Sequence, residues 1–189
     1  MFVWLCCASQ LPAQTWGLKS NLASDAGGHL NLGLETALRN LGPLWTFELG
    51  GDYRSWDGSD NKRRRHLLCL TELRRWRCDR YLGDFVALQC LSGTFNYGGL
   101  DTDFSFLGTD FGALRDHRFQ GWCIGLGLGL GRDWAIDRHW NVEAQVALGW
   151  VHSWYDRFNC IGCGRLTDRQ LEHNYWGPTK LSLSIVYLP

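Results

Sequence analysis

Between Gly121 and Trp134 the chain alternates without a break. Trp122, Ile124, Leu126, Leu128 and Leu130 hold the even positions, and Gly121, Cys123, Gly125, Gly127, Gly129 and Gly131 the odd ones. Successive side chains of a strand point to opposite faces, so this spacing predicts a strand with one greasy face and one nearly bare. A helix would scatter the glycines around its circumference, each costing about 1 kcal/mol relative to Ala. Glycines lining a narrow barrel make room for long side chains from neighbouring strands, so the leucine row is expected to face lipid.

The same alternation predicts seven more strands, over residues 16–23, 29–38, 44–55, 66–76, 83–97, 139–154 and 179–188. Leu30, Leu32 and Leu34 oppose Asn31, Gly33 and Glu35. Trp45, Phe47, Leu49 and Tyr53 oppose Thr46, Glu48, Asp52 and Arg54. Trp140, Val142, Val146, Leu148 and Trp150 oppose Asn141, Glu143 and Gln145, and Leu181, Leu183 and Ile185 oppose Lys180, Ser182 and Ser184. The pattern is weakest at Leu67 to Leu70, where both faces are apolar; Glu72 and Arg74 are placed inward. Lys19, Glu35, Glu48, Arg74, Glu143 and Lys180 are the candidates for a polar network across the lumen, since buried charges need partners.

Trp140 and Trp150 share a face at about 33 Å along a strand, given roughly 3.3 Å per residue. Tilted by about 40°, that spans a height of about 25 Å, the apolar band of an outer-membrane barrel. Trp122, Trp134, Trp140 and Trp150 are therefore the expected membrane girdle. The links at residues 40–43, 78–81 and 135–138 are short, whereas 57–65, 98–118 and 155–177 read as long polar loops. Short on one side and long on the other is the outer-membrane pattern. The predicted fold is thus all-β, an eight-stranded antiparallel up-and-down transmembrane β-barrel with no open edge.

Composition bounds the partners. The 189 residues suit one domain, and Lys plus Arg and Asp plus Glu each number 19, so nothing in the charge suggests nucleic acid. Mean hydropathy is -0.23, and no apolar run approaches the roughly 18 to 20 residues of a spanning helix. Eleven Trp and 23 Gly are the unusual counts, and Trp concentrates at membrane interfaces. Residues 1–14 read as a secretory signal, with an apolar Met1 to Ala8 and a cleavage neighbourhood at Pro12 to Gln14. The basic start usual in such signals is missing, Lys19 being the first cation, so the expectation is either a signal truncated at its start or an atypical one. Residues 15–189 form the barrel domain.

Trp140-Asn141-Val142-Glu143, Cys160-Ile161-Gly162-Cys163-Gly164 and Trp176-Gly177-Pro178-Thr179-Lys180 resemble a bacterial domain-of-unknown-function family, numbered 3575. Trp16 to Leu22 and Glu72-Leu73-Arg74-Arg75-Trp76 resemble it too. The resemblance implies an outer-membrane barrel, with members often found beside fimbrial or surface-adhesion genes, and it implies no catalytic residue. The missing basic start and the extra Cys69, Cys78, Cys90 and Cys123 depart from the family's pattern.

Of the six cysteines beyond the signal, Cys160 and Cys163 are the one close pair. A small structural disulfide in an exported loop is the favoured reading; half of a metal site with His173 or His152, and free thiols, stay open. A redox dithiol would want a helix after the first cysteine, and Gly162 and Gly164 argue against one. His152 and Ser153 are adjacent and point to opposite faces, which disfavours a nucleophile and base pair. The expected protein is non-enzymatic and monomeric, without cofactor or metal. It sits in the outer membrane of a Gram-negative bacterium after Sec-type export, contacting lipid and fimbrial or other surface proteins in an envelope-structural, adhesion or fimbria-associated role. A soluble lipocalin-like carrier, with apolar faces turned inward, is the alternative, and a lipid-A-modifying enzyme a more distant one.

Overall fold

The structure, a computed structural model, describes residues 14–58, 62–101, 105–106, 109–110, 112–159 and 164–189. Eight antiparallel strands close into a barrel: β1 (Trp16–Asn21), β2 (Leu30–Ala37), β3 (Trp45–Asp57), β4 (Arg63–Trp76), β5 (Gly83–Gly98), β6 (His117–Ala135), β7 (Trp140–Asn159) and β8 (Leu166–Tyr187). Each strand pairs with its neighbours in the chain, and β1 closes the ring against β8 through Leu18 opposite Tyr187 and Asn21 opposite Ser184. No helix among the described residues is long and apolar enough to cross a membrane.

Side-chain orientation is the inverse of a soluble core. Leu128 is 70% exposed and Leu181 79%, whereas Glu35 and Arg74 are fully buried in the lumen. The glycine row of β6 faces that lumen and leaves space that other strands fill. A Cβ on Gly127 would lie 2.9 Å from Thr179 Oγ1 and 3.1 Å from Gln89 Oε1, and one on Gly129 would lie 2.8 Å from Gln145 Nε2. At Gly131 a Cβ would run into the Phe85 ring. Gly131→Val is therefore expected to destabilise the barrel by about 1 to 3 kcal/mol through overpacking, read as a lower urea midpoint at unchanged slope; an unchanged midpoint would show that the ring has room to move.

Several strand ends differ from the sequence expectation, each for a local reason. β1 stops at Asn21 instead of residue 23, because the Asn21 side chain accepts from the Ala23 N–H at 3.1 Å and caps a short helix, α1 (Leu22–Ala26). Residues 40–43, expected as a tight hairpin, follow a single 3-10 turn at Arg39–Leu41. The basic run expected in a loop is mostly strand: β4 begins at Arg63, and the Arg64 guanidinium lies 5.2 Å over the Trp56 ring. The expected 98–118 loop holds two paired two-residue strands, Ser105–Phe106 and Thr109–Asp110, and a short helix, α2 (Ala113–Asp116).

The largest difference is at 155–177. β7 continues to Asn159 and β8 begins at Leu166, and the two pair from Leu166 opposite Phe158 down to Tyr187 opposite Trp140. A register shift between Pro178 and Lys180 inserts a residue and flips the faces, as β-bulges do, so Trp176 and Leu181 both point outward although their positions differ in parity. The expected signal falls almost wholly on residues outside those described, as does the Cys160–Cys163 pair. Of that region Gln14 is described, donating to the Arg138 carbonyl at 3.4 Å.

Candidate functional site

The lumen is built in three layers, starting from the end with the short turns. The lowest is an apolar plug of Trp76, Tyr81, Phe85, Val186 and Leu188. The Trp76 and Phe85 rings lie 4.7 Å apart. Burial, and then the Glu35 carboxylate, push the Tyr81 phenol well above its usual range, so it stays protonated. Plug and charge meet where the Arg74 guanidinium sits 4.5 Å over the Phe85 ring.

Above the plug lies the ion layer, centred on Arg74. Its Nε donates to Glu72 Oε2 at 2.8 Å, and its Nη1 donates to Glu35 Oε2 at 3.0 Å and Glu143 Oε2 at 2.8 Å. Its Nη2 reaches Glu48 Oε2 at 2.5 Å and donates to Gln145 Oε1 at 2.8 Å. Lys19 Nζ donates to Glu143 at 2.6 Å and Glu48 at 3.0 Å and also pairs with Glu35. Lys180 Nζ donates to Glu72 Oε1 at 2.9 Å and approaches Glu48 Oε1 at 3.5 Å. Arginine suits the centre because its planar fork donates in several directions at once.

All six residues proposed for the lumen, Lys19, Glu35, Glu48, Arg74, Glu143 and Lys180, meet in this layer. Glu72, placed inward on sequence, proves to be a full member. Gln145, on the inner face by its parity, joins them, and its Nε2 donates to both Glu72 oxygens at 3.0 Å. Thr46 was not singled out, yet Trp76 Nε1 donates to its hydroxyl at 2.9 Å and that hydroxyl donates to Glu35 Oε1 at 2.5 Å. The signal for all three was parity, since each sits an even number of positions from a neighbouring inward charge.

The third layer, at the end with the long connections, is an open cavity of about 360 Å³ lined by Lys180, Glu48, Asp52, His66 and Tyr97 among others. There Asp52 Oδ1 accepts from both His29 Nδ1 at 2.9 Å and His66 Nε2 at 2.5 Å. Arg54 Nη1 donates to His29 Nε2 at 2.9 Å, and the Tyr97 hydroxyl meets His66 Nδ1. These residues lie on the inner faces of β3, β4 and β5, with His29 just before β2.

The expected girdle residues all lie on the outer surface. Trp134 and Trp140 mark the short-turn end, where the Trp140 ring is 4.9 Å from Tyr187. At the other end the tryptophans form two tiers. Trp150 pairs across with Leu126 and Trp176, whereas Trp122 pairs with Trp154 and stacks on it at 4.1 Å. His152 lies on the outside between them, its ring 4.1 Å from Trp154 and its Nδ1 2.8 Å from Asn174 Oδ1. Cys69, Cys90 and Cys123 are free thiols.

The fold and lumen define a class, a small closed antiparallel barrel with apolar side chains outside and a buried ion-pair network inside. Within that class, the chain belongs to the family described as protein of unknown function DUF3575, which matches it over residues 1–188. No curated protein and no solved structure matches it.

Proposed function

We propose that the protein is a non-enzymatic, monomeric barrel of the Gram-negative outer membrane. It reaches the membrane by Sec-type export and holds surface strands and loops in place for envelope-structural or adhesive contact, with fimbrial or other surface proteins as partners. The observation that carries this reading is the ring of exposed leucines around a lumen filled with charge. Soluble monomers rarely expose a contiguous apolar surface beyond a few hundred Å², and a closed barrel is the one sheet that leaves no unpaired backbone in lipid. The soluble-carrier alternative needs apolar faces turned inward around a ligand cavity, and here the faces are reversed.

The surface role is supported by how far the sheet outruns the bilayer. From Tyr155 to Asn159, β7 continues beyond the Trp122–Trp154 tier for about 16 Å at roughly 3.3 Å per residue, still paired with β8. This ribbon carries Asp156, Arg157, Asp168, Arg169 and Gln170, and the Arg157 Nη2 to Asp168 Oδ2 pair at 2.5 Å braces it. It would stand clear of lipid headgroups, where another protein can reach it.

Fractionation after export tests the membrane part. The expected result is recovery in the outer-membrane fraction, released only by detergent, with boiled and unboiled samples migrating differently on a denaturing gel. Recovery in the soluble periplasm would refute it. For the role, cells lacking the protein are expected to lose surface attachment or envelope integrity, and a variant with the β7–β8 ribbon shortened to the level of Trp154 and Glu172 should insert normally without restoring it. Full restoration by that variant would remove the ribbon from the function.

A further inference from the structure

Two histidines aim ring nitrogens at the same oxygen of one carboxylate at the mouth of the lumen. His29 Nδ1, Asp52 Oδ1 and His66 Nε2 all lie within 4.8 Å of one another. They come from three separate places, the turn after α1, β3 and β4, and they converge on the cavity above the ion layer. We propose that these three side chains form a binding site for a divalent transition-metal ion, Zn2+ or Cu2+.

The geometry is close to what such an ion needs. Zinc–nitrogen and zinc–oxygen bonds of about 2.0 to 2.2 Å at tetrahedral angles place donor atoms about 3.3 Å apart. Asp52 Oδ1 would stand off by about 0.4 Å more from His29 Nδ1 and about 0.8 Å more from His66 Nε2 than it does now, a shift within reach of small side-chain torsional changes beside the open cavity. Two imidazoles and a carboxylate are a donor set that Zn2+ and Cu2+ accept. The fourth position faces the cavity, where water completes the shell. Beneath it, Glu35, Glu48, Glu72 and Glu143 face Lys19, Arg74 and Lys180. Four carboxylates against three cations leave an excess negative charge that favours a dication at the mouth.

Protons balance without loss. In the metal-free arrangement Arg54, which can only donate, holds His29 Nε2 as an acceptor, so the ring proton is on Nδ1 and points at Asp52. Metal at Nδ1 requires that proton to move to Nε2, and Arg54 must then swing away. On His66 the proton moves from Nε2 to Nδ1, where the Tyr97 oxygen accepts it, since a hydroxyl can serve either way. Arg54 therefore opposes the ion twice, by its charge and by the tautomer it enforces, while Tyr97 accommodates it.

The test uses the chelator-stripped full-length protein, kept folded in detergent, and titrates Zn2+ alone by calorimetry and Cu2+ alone by electron paramagnetic resonance. Saturable binding of one ion per chain is expected, with nitrogen hyperfine structure from two imidazoles. His29→Phe, His66→Phe and Asp52→Asn should each weaken it at least about tenfold, by comparison with the 10- to 100-fold lost on changing even outer-shell partners, and each histidine change should remove one nitrogen from the spectrum. Arg54→Gln should bind several-fold more tightly, a gain that a misfolded variant could not mimic. Heat-dependent gel migration checks that each variant is a folded barrel. No saturable binding, or binding that both histidine variants retain with an unchanged spectrum, would overturn the proposal. Neither outcome bears on whether the barrel sits in a membrane.

Discussion

Arg74→Met is expected to lower folding stability by about 3 to 5 kcal/mol, the cost of removing one partner from a buried ion cluster. The reason is the number of groups that depend on this one side chain. Arg74 touches Glu35, Glu48, Glu72 and Glu143. Without it Lys19 and Lys180 face four carboxylates. Arg74→Lys should recover only part of the loss, because an ammonium is a compact charge and cannot reproduce the planar fork. Pairing Arg74→Met with Glu72→Gln should be less costly than the sum of the single changes, since removing one carboxylate relieves the charge that Arg74 leaves behind. Equilibrium urea unfolding in lipid vesicles, followed by tryptophan fluorescence, measures all four variants, Glu72→Gln alone included, against the unaltered protein. A loss below about 1 kcal/mol for Arg74→Met, the size of an exposed pair, would mean that water enters the layer and screens it.

The second large effect is on the outer face. Leu128→Arg is expected to cost about 2 to 4 kcal/mol, falling to about 0 to 1 kcal/mol for Trp176→Arg near the edge of the apolar belt. Leu128 is midway between Trp122 and Trp134 on β6 and among the most exposed leucines, so nothing in the protein's own packing would make it sensitive. A surface substitution in water is usually worth no more than about 0.5 kcal/mol. The depth dependence is therefore the signature of lipid. Equal, small effects at both positions would leave the belt without a membrane.

How much of this is legible in the sequence depends on where the two faces of a strand differ in polarity. Between the tryptophans each strand has an apolar outer face and a different inner one, and the alternation of Leu126, Leu128 and Leu130 with glycines shows it directly. Beyond them both faces carry polar residues. Residues such as Asp168, Glu172, His173 and Asn174 carry no apolar rhythm, so the upper half of β8 read as a loop although it is paired to β7 throughout. Only the partner strand supplies that information. Arg63 to Arg65 were missed for the same reason, their strand being held by pairing with β3 and β5.

The ion layer was readable because inward positions on recognised strands carry charge at fixed parity. The mouth cluster follows the same rule one turn of the pattern further out. Asp52 shares the face of Glu48 on β3, and His66 the face of Glu72 and Arg74 on β4. The β3 row already reaches Asp52 and Arg54 on sequence, and extending the β4 row brings His66 forward. His29 is within reach of the same rule, since the strand expected over 29–38 gives it the parity of Asn31, Gly33 and Glu35, although β2 itself begins at Leu30.

The central claim is that the leucine row contacts hydrocarbon. Single nitroxide labels at Ile124, Leu126, Leu128, Leu130 and Leu148, in a background with the native cysteines replaced by serine and the protein refolded into lipid vesicles, measure it through collision rates with two relaxing agents. All five are expected to be accessible to oxygen, which dissolves in lipid, and shielded from a water-soluble nickel chelate, most strongly at Leu128. Labels on that row that meet the nickel chelate freely, or neither agent, would place the leucines in water or inside the protein and contradict the account.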